Sequence, residues 1–181
     1  MDYLLITVIG RRSHHLGGKN GGKSLHISVN QSRSCGGCTF CCEILEIADI
    51  SPRHELCQYA EEGVGCTIYT DPIRPDVCDA FSCLWLSNTS LSDRLRPDKS
   101  HVMLRVLKTL EVYVDPEWPV AWLCDPAFAG IMRHYIEHTE NHVLLIVGDH
   151  ITELASPNQV MALEEEEMKG VQMNGRNITT P

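Results

Sequence analysis

Residues 35–42 read CGGCTFCC: four cysteines in eight positions, two of them adjacent. Four more follow at 57, 66, 78 and 83, so eight thiols fall within 49 residues in the order C-x2-C-x2-CC-x14-C-x8-C-x11-C-x4-C. Eight thiolates packed into a small volume would take their protons back, because each is an unpaired charge. A soft metal reverses this, since ligation deprotonates a thiol outright. The Cys35-Gly36-Gly37-Cys38 knuckle suits the task. Its glycines accept the positive φ angles of a tight turn, and the N–H groups of such a turn face the sulfurs. The candidate ligands are therefore Cys35, Cys38, Cys41, Cys42, Cys57, Cys66, Cys78 and Cys83. Eight ligands divide into two sets of four. That number fits two four-cysteine zinc sites, or an iron–sulfur cluster with a zinc site or spare thiols beside it. Consecutive side chains point apart in an extended chain, so Cys41 and Cys42 are expected to serve two neighbouring centres. No Cys-Pro follows the run, unlike the bacterial ferredoxin pattern.

Composition weighs against the other uses of clustered thiols. The early apolar run YLLITVIG (3–10) is preceded by Asp2 and followed by Arg11-Arg12, the reverse of a secretory signal, and it is far shorter than the ~20 residues a spanning helix needs. The expected compartment is the cytoplasm, where disulfide frameworks are rare; the cysteine total of nine is also odd. A thioredoxin-like pair would follow a strand, whereas this C-x2-C follows a glycine-rich arm. The net charge is −9, unevenly spread: residues 1–34 hold five Lys/Arg against Asp2 alone, and the remainder ten against 23 Asp/Glu. An acidic body of this kind excludes a general nucleic-acid binder, and no membrane association is expected.

The chain reads as α+β: a small sheet with one or two packed helices beside an irregular, metal-stapled cysteine-rich module. Residues 1–34 form a flexible basic arm. Residues 35–155 form a single domain, with the cysteine module at 35–86 and the α+β half at 100–155. Residues 156–181 supply a short helix and a frayed tail. Turn signals at Gly36-Gly37, Ser51-Pro52, Gly63-Val64-Gly65, Asp71-Pro72 and Arg74-Pro75 leave the module little room for regular elements. HVMLRVL (101–107) and LEVYVDP (110–116) predict a hairpin, and HVLLIVGD (142–149) a buried strand. Over 125–141, Asp125 as N-cap and Pro126 at N1 open a helix whose Phe128, Ile131, Met132, Tyr135 and Ile136 share one face. A last helix runs from Ser156-Pro157 to Lys169-Gly170.

The stretches CGGCTFCC, GVGCTIY, RPDVCDAF and SCLWL, in this order, resemble the bacterial YkgJ-like CxxCxxCC cysteine-cluster family, described as zinc- or iron-chelating. The resemblance covers residues 35–86. It implies metal chelation by the eight cysteines, with Arg74 neutralising thiolate charge and Tyr69, Phe81 and Trp85 walling the site. Members have been labelled flagellin lysine methylase-like, but no adenosylmethionine-binding fingerprint occurs here. The expected function is a cytoplasmic metal-binding protein, its metal structural or there for handling and sensing. The alternatives are an iron–sulfur redox or sensor protein and a metal-dependent enzyme; no catalytic residue stands out. The expected partners are the metal ion and an unidentified protein, for which the α+β half would present a surface if it does not simply support the module.

Other candidates carry less. Cys124 stands alone and reads as a small buried hydrophobe. His54 could replace a cysteine in a Cys3His site. His134, His138 and His142 recur every four residues without H-E-x-x-H, and read as a solvated helix edge. GGKNGGKS (17–24) meets the phosphate-loop pattern at Gly17, Gly22, Lys23 and Ser24, but no helical periodicity follows it. His14-His15 reads as solvated.

Overall fold

The computed structural model describes residues 33–173, which belong to a unit beginning at Arg33. The basic arm through residue 32, with His14-His15 and the phosphate-loop-like stretch, lies outside the described residues, as does the tail from 174. The fold is α+β, with six α-helices and two sheets among the described residues. In chain order the elements are α1 (Phe40–Ile44), β1 (Ala60–Glu61), β2 (Gly65–Cys66), α2 (Asp76–Ala80), α3 (Leu84–Ser87), α4 (Pro97–Ser100), β3 (Val102–Val106), β4 (Leu110–Val114), α5 (Pro126–Thr139), β5 (Val143–Val147), β6 (His150–Leu154) and α6 (Pro157–Met173).

The larger sheet has the order β3-β4-β5-β6. The predicted hairpin pairs β3 with β4 antiparallel, Val102 opposite Val114 and Val106 opposite Leu110. Strand β5 then runs parallel to β4, Val112 opposite Leu145, because α5 carries the chain back across the sheet between them. Side chains alternate between faces along each strand. One face presents Val102, Leu104, Leu110, Val112, Val114, Val143, Leu145 and Leu154, all buried. The other presents Met103, Tyr113 and Ile146, also buried, and these three pack with Phe40 and Ile44 of α1. The cysteine module therefore does more than stand beside the sheet: it covers the second face. Helix α5 covers the first with Phe128, Ile131, Met132, Tyr135 and Ile136, the face anticipated from its spacing.

Helix α5 begins as read. Asp125 accepts from Ala127 N at 2.9 Å, Pro126 occupies N1, and Asp125 also pairs with Arg94 at 2.6 Å. Asp125→Ala is expected to lower stability by about 1–2 kcal/mol, the usual worth of an N-cap, measured as a lower urea midpoint with unchanged slope. Tyr135 pins the other end, its hydroxyl donating to Lys108 O in the β3–β4 turn. Helix α6 opens with a capping box in which Gln159 N donates to Ser156 Oγ and the Gln159 side chain accepts from Ser156 N. It runs on through Gly170 to Met173, beyond the end expected at Lys169-Gly170, because Gly170 does not adopt the left-handed conformation that stops a helix. Strand β6 has no counterpart in the sequence reading. It pairs antiparallel with β5 across Gly148-Asp149, with Gly148 at φ 59°. Among the described residues no helix is long and apolar enough to cross a membrane.

Candidate metal centre

Helix α1 positions the middle of the cysteine run. Phe40 and Ile44, four residues apart, face the sheet and leave Cys41 and Cys42 on the helix flank. Their sulfurs lie 4.0 Å apart, so the adjacent pair does not diverge as extended backbone would make it. Before α1, Cys38 N donates to Cys35 O at 3.1 Å and Gly36 takes φ 53°, closing the expected knuckle. After it, Cys57 N donates to Cys42 O at 2.9 Å, and β1 pairs with β2 so that Ala60 faces Cys66. The knuckle lies backbone to backbone on this small hairpin: a Cβ on Gly65 would sit 2.0 Å from Gly36 O, and one on Gly37 2.5 Å from Gly63 O. Cys78 lies on α2 and Cys83 at the N-cap of α3.

All eight predicted cysteines line one cavity of about 100 Å³, with Tyr69, Arg74, Phe81, Trp85 and Met103 in the same wall. All nine cysteines of the chain are free thiols. Among the described residues no three Cys, His, Asp or Glu side chains yet converge into a group that could hold an ion. The sulfurs stand around the wall rather than at its centre. A single torsion, χ1, carries each sulfur from one staggered position to another.

Burial raises most of these thiols. It pushes Cys38 up to about 11 and also raises Cys35, Cys78 and Cys83. Cys41 and Cys42 part in opposite directions. The hydrogen bond between them lowers Cys42 to about 7, helped by Arg74, and drives Cys41 far up. Arg74 is the cation placed for this: its guanidinium donates to Cys78 O and Asp79 Oδ1, each at 2.8 Å, and lies 4.3 Å from the Tyr69 ring centroid. Asp79, next to Cys78 in sequence, holds Arg74 in place. Two N–H donors of the wall residues, Arg74 Nε and Trp85 Nε1, are buried with no hydrogen-bond partner. By the chemistry of its donors, though not by their grouping, the set suits a soft cation: eight sulfurs, with unpaired N–H groups to face thiolate charge.

Arg33 and Arg96 were not legible as site residues. Arg33 falls in sequence at the end of the arm, yet its guanidinium donates to Trp85 O, Asn88 O, Thr89 O and Leu91 O and stacks 4.4 Å from the Trp85 ring centroid. It thereby satisfies carbonyls at and beyond the end of α3. Arg96 donates to Cys35 O at 3.1 Å. No spacing rule singles out either arginine. His54 is not among the cavity's lining residues; it sits at φ 64° with both ring nitrogens buried and unpartnered. Of the three spaced histidines, His134 and His138 bring their ring centroids 3.9 Å apart, with His138 Nδ1 2.9 Å from His134 O, while His142, past the end of α5, pairs with Glu153. Cys124 lies outside the cavity, and burial raises its thiol.

No family model, curated protein or solved structure matches this chain.

Proposed function

We propose that this chain is a cytoplasmic metal-binding protein whose cysteine module holds zinc or an iron–sulfur cluster through Cys35, Cys38, Cys41, Cys42, Cys57, Cys66, Cys78 and Cys83. The metal serves mainly to fold the module, or for metal handling and sensing. The observation that carries this is that eight thiols, drawn from 49 residues of mostly irregular chain, all line the wall of one cavity. Eight unligated thiols make a poor cavity lining, because burial resists their ionisation and free thiols are open to oxidation. Ligation removes both difficulties. The resemblance to the CxxCxxCC cysteine-cluster family points the same way, and the unpaired N–H groups of Arg74 and Trp85 are suited to thiolate acceptors.

A second reading, an iron–sulfur redox or sensor protein, is favoured by the spread of the sulfurs around a cavity of about 100 Å³. A cluster brings its own sulfide and needs room that a lone ion does not. Elemental analysis with an absorption spectrum, on protein purified without oxygen or chelator, tests both readings. Zinc near two per chain and no colour supports closed thiolate sites; iron with sulfide and a broad visible band supports the cluster. Metal-free protein with its thiols oxidised in pairs overturns the proposal.

A further inference from the structure

We infer that the eight thiols form two adjacent sets, Cys35/Cys38/Cys41/Cys83 against the sheet and Cys42/Cys57/Cys66/Cys78 under the small hairpin, and that the second set is the one that exchanges its metal. This rests on the metal-binding reading above and assigns what sequence spacing left open. Cys38, Cys41 and Cys83 pack against the cluster of Phe40, Ile44, Met103, Tyr113 and Ile146 on the second face of the sheet. Cys35 joins them through the knuckle, its carbonyl bonded to Cys38 N and to Arg96. The other four are threaded together by backbone: Cys57 N bonds to Cys42 O, Ala60 N to Cys57 O, and Ala60 pairs with Cys66. The sets meet at the 4.0 Å contact between Cys41 and Cys42.

Their supports differ. The inner set stands on the sheet, and its last ligand opens α3, whose Trp85 is buried and whose far end Arg33 holds. In the outer set Cys66 ends a strand of two residues and Cys78 lies on α2, which buries no residue, while Cys42 stays on α1 and Cys57 is buried. Around it Val64, Ile73 and Val77 are 58%, 65% and 58% exposed, so little apolar burial opposes its opening. Elements with few buried contacts open first. A thiolate set whose supporting chain opens more readily releases its metal faster, which places exchange at Cys42, Cys57, Cys66 and Cys78.

The test uses Co2+ as probe on the full, reduced chain under anaerobic conditions. The thiolate-to-cobalt band counts the ions bound. EDTA then strips them while timed pulses of iodoacetamide, read by peptide mass mapping, report which thiols are released. The expected result is two cobalt ions per chain leaving in two phases separated roughly tenfold or more in rate. Cys42, Cys57, Cys66 and Cys78 become alkylated in the fast phase, and the other four in the slow one. Because the wild-type chain is used, no variant has to fold. One cobalt per chain, a single phase exposing all eight thiols, or a partition that cuts across the two sets overturns the inference and leaves the metal-binding reading standing. Absence of cobalt uptake by reduced, folded protein overturns both.

Discussion

Gly65→Ala is expected to destabilise the protein by about 4 kcal/mol or more, at the far end of the range for single substitutions. Two effects combine at this position. The residue sits at φ 100°, where an L side chain is strained by about 1–3 kcal/mol. The new methyl would also stand 2.0 Å from Gly36 O, and backbone, unlike the end of a flexible side chain, has nowhere to turn. The hairpin must lift off the Cys35–Cys38 knuckle, and with it Cys66 leaves the cavity wall. Gly63→Ala is the matched control: its φ is 74°, but nothing lies within 4 Å of the added carbon. It should cost only the conformational strain, about 1–2 kcal/mol. Urea denaturation of the two variants separates the clash from the strain. Equal losses would mean that the knuckle and hairpin do not touch as described.

How far such contacts could be read from sequence depends on their range. Helix α5 was legible because everything that specifies it is local: an Asp-Pro start and apolar residues three and four apart. The β3–β4 hairpin and β5 were legible from dense β-branched runs. Strand β6 was not, since HITEL buries only Leu154 and lacks a strand's apolar alternation. Its one signal was Gly148-Asp149, a two-residue connection between β5 and β6. The eight cavity thiols were picked out by spacing, since short C-x2-C separations restrict where sulfurs can go. The partners of the module were not. Phe40 and Ile44 meet Met103, Tyr113 and Ile146 from 59 to 106 positions away, and no local pattern in the first segment announces the second. The same holds for Arg33, which reaches α3 from 52 residues away.

Stripping the metal from reduced protein is expected to unfold the cysteine module and leave the sheet. Residues 35–87 bury few large apolar side chains, chiefly Phe40, Ile44, Ile47 and Trp85, and their strands are two residues long. That is too little to offset a backbone cost of about 1–2 kcal/mol per ordered residue. Structural zinc sites supply about 10–16 kcal/mol, which is folding free energy for the segment that holds them. The half with β3–β6, α5 and α6 has its own core, with Trp122, Phe128, Met132, Val112 and Val143 at most 1% exposed. Hydrogen exchange should therefore show amide protection over 35–87 falling by roughly a thousandfold or more on chelation, while β4, β5 and α5 keep theirs. Protection over β3 should weaken in part, because Met103, Tyr113 and Ile146 lose their cover as α1 departs. Restoring zinc to the anaerobic sample should restore protection. If 35–87 stay protected after the metal has gone, the thiols do not fold the module, and its stability must come from the sheet face and the arginine anchors alone.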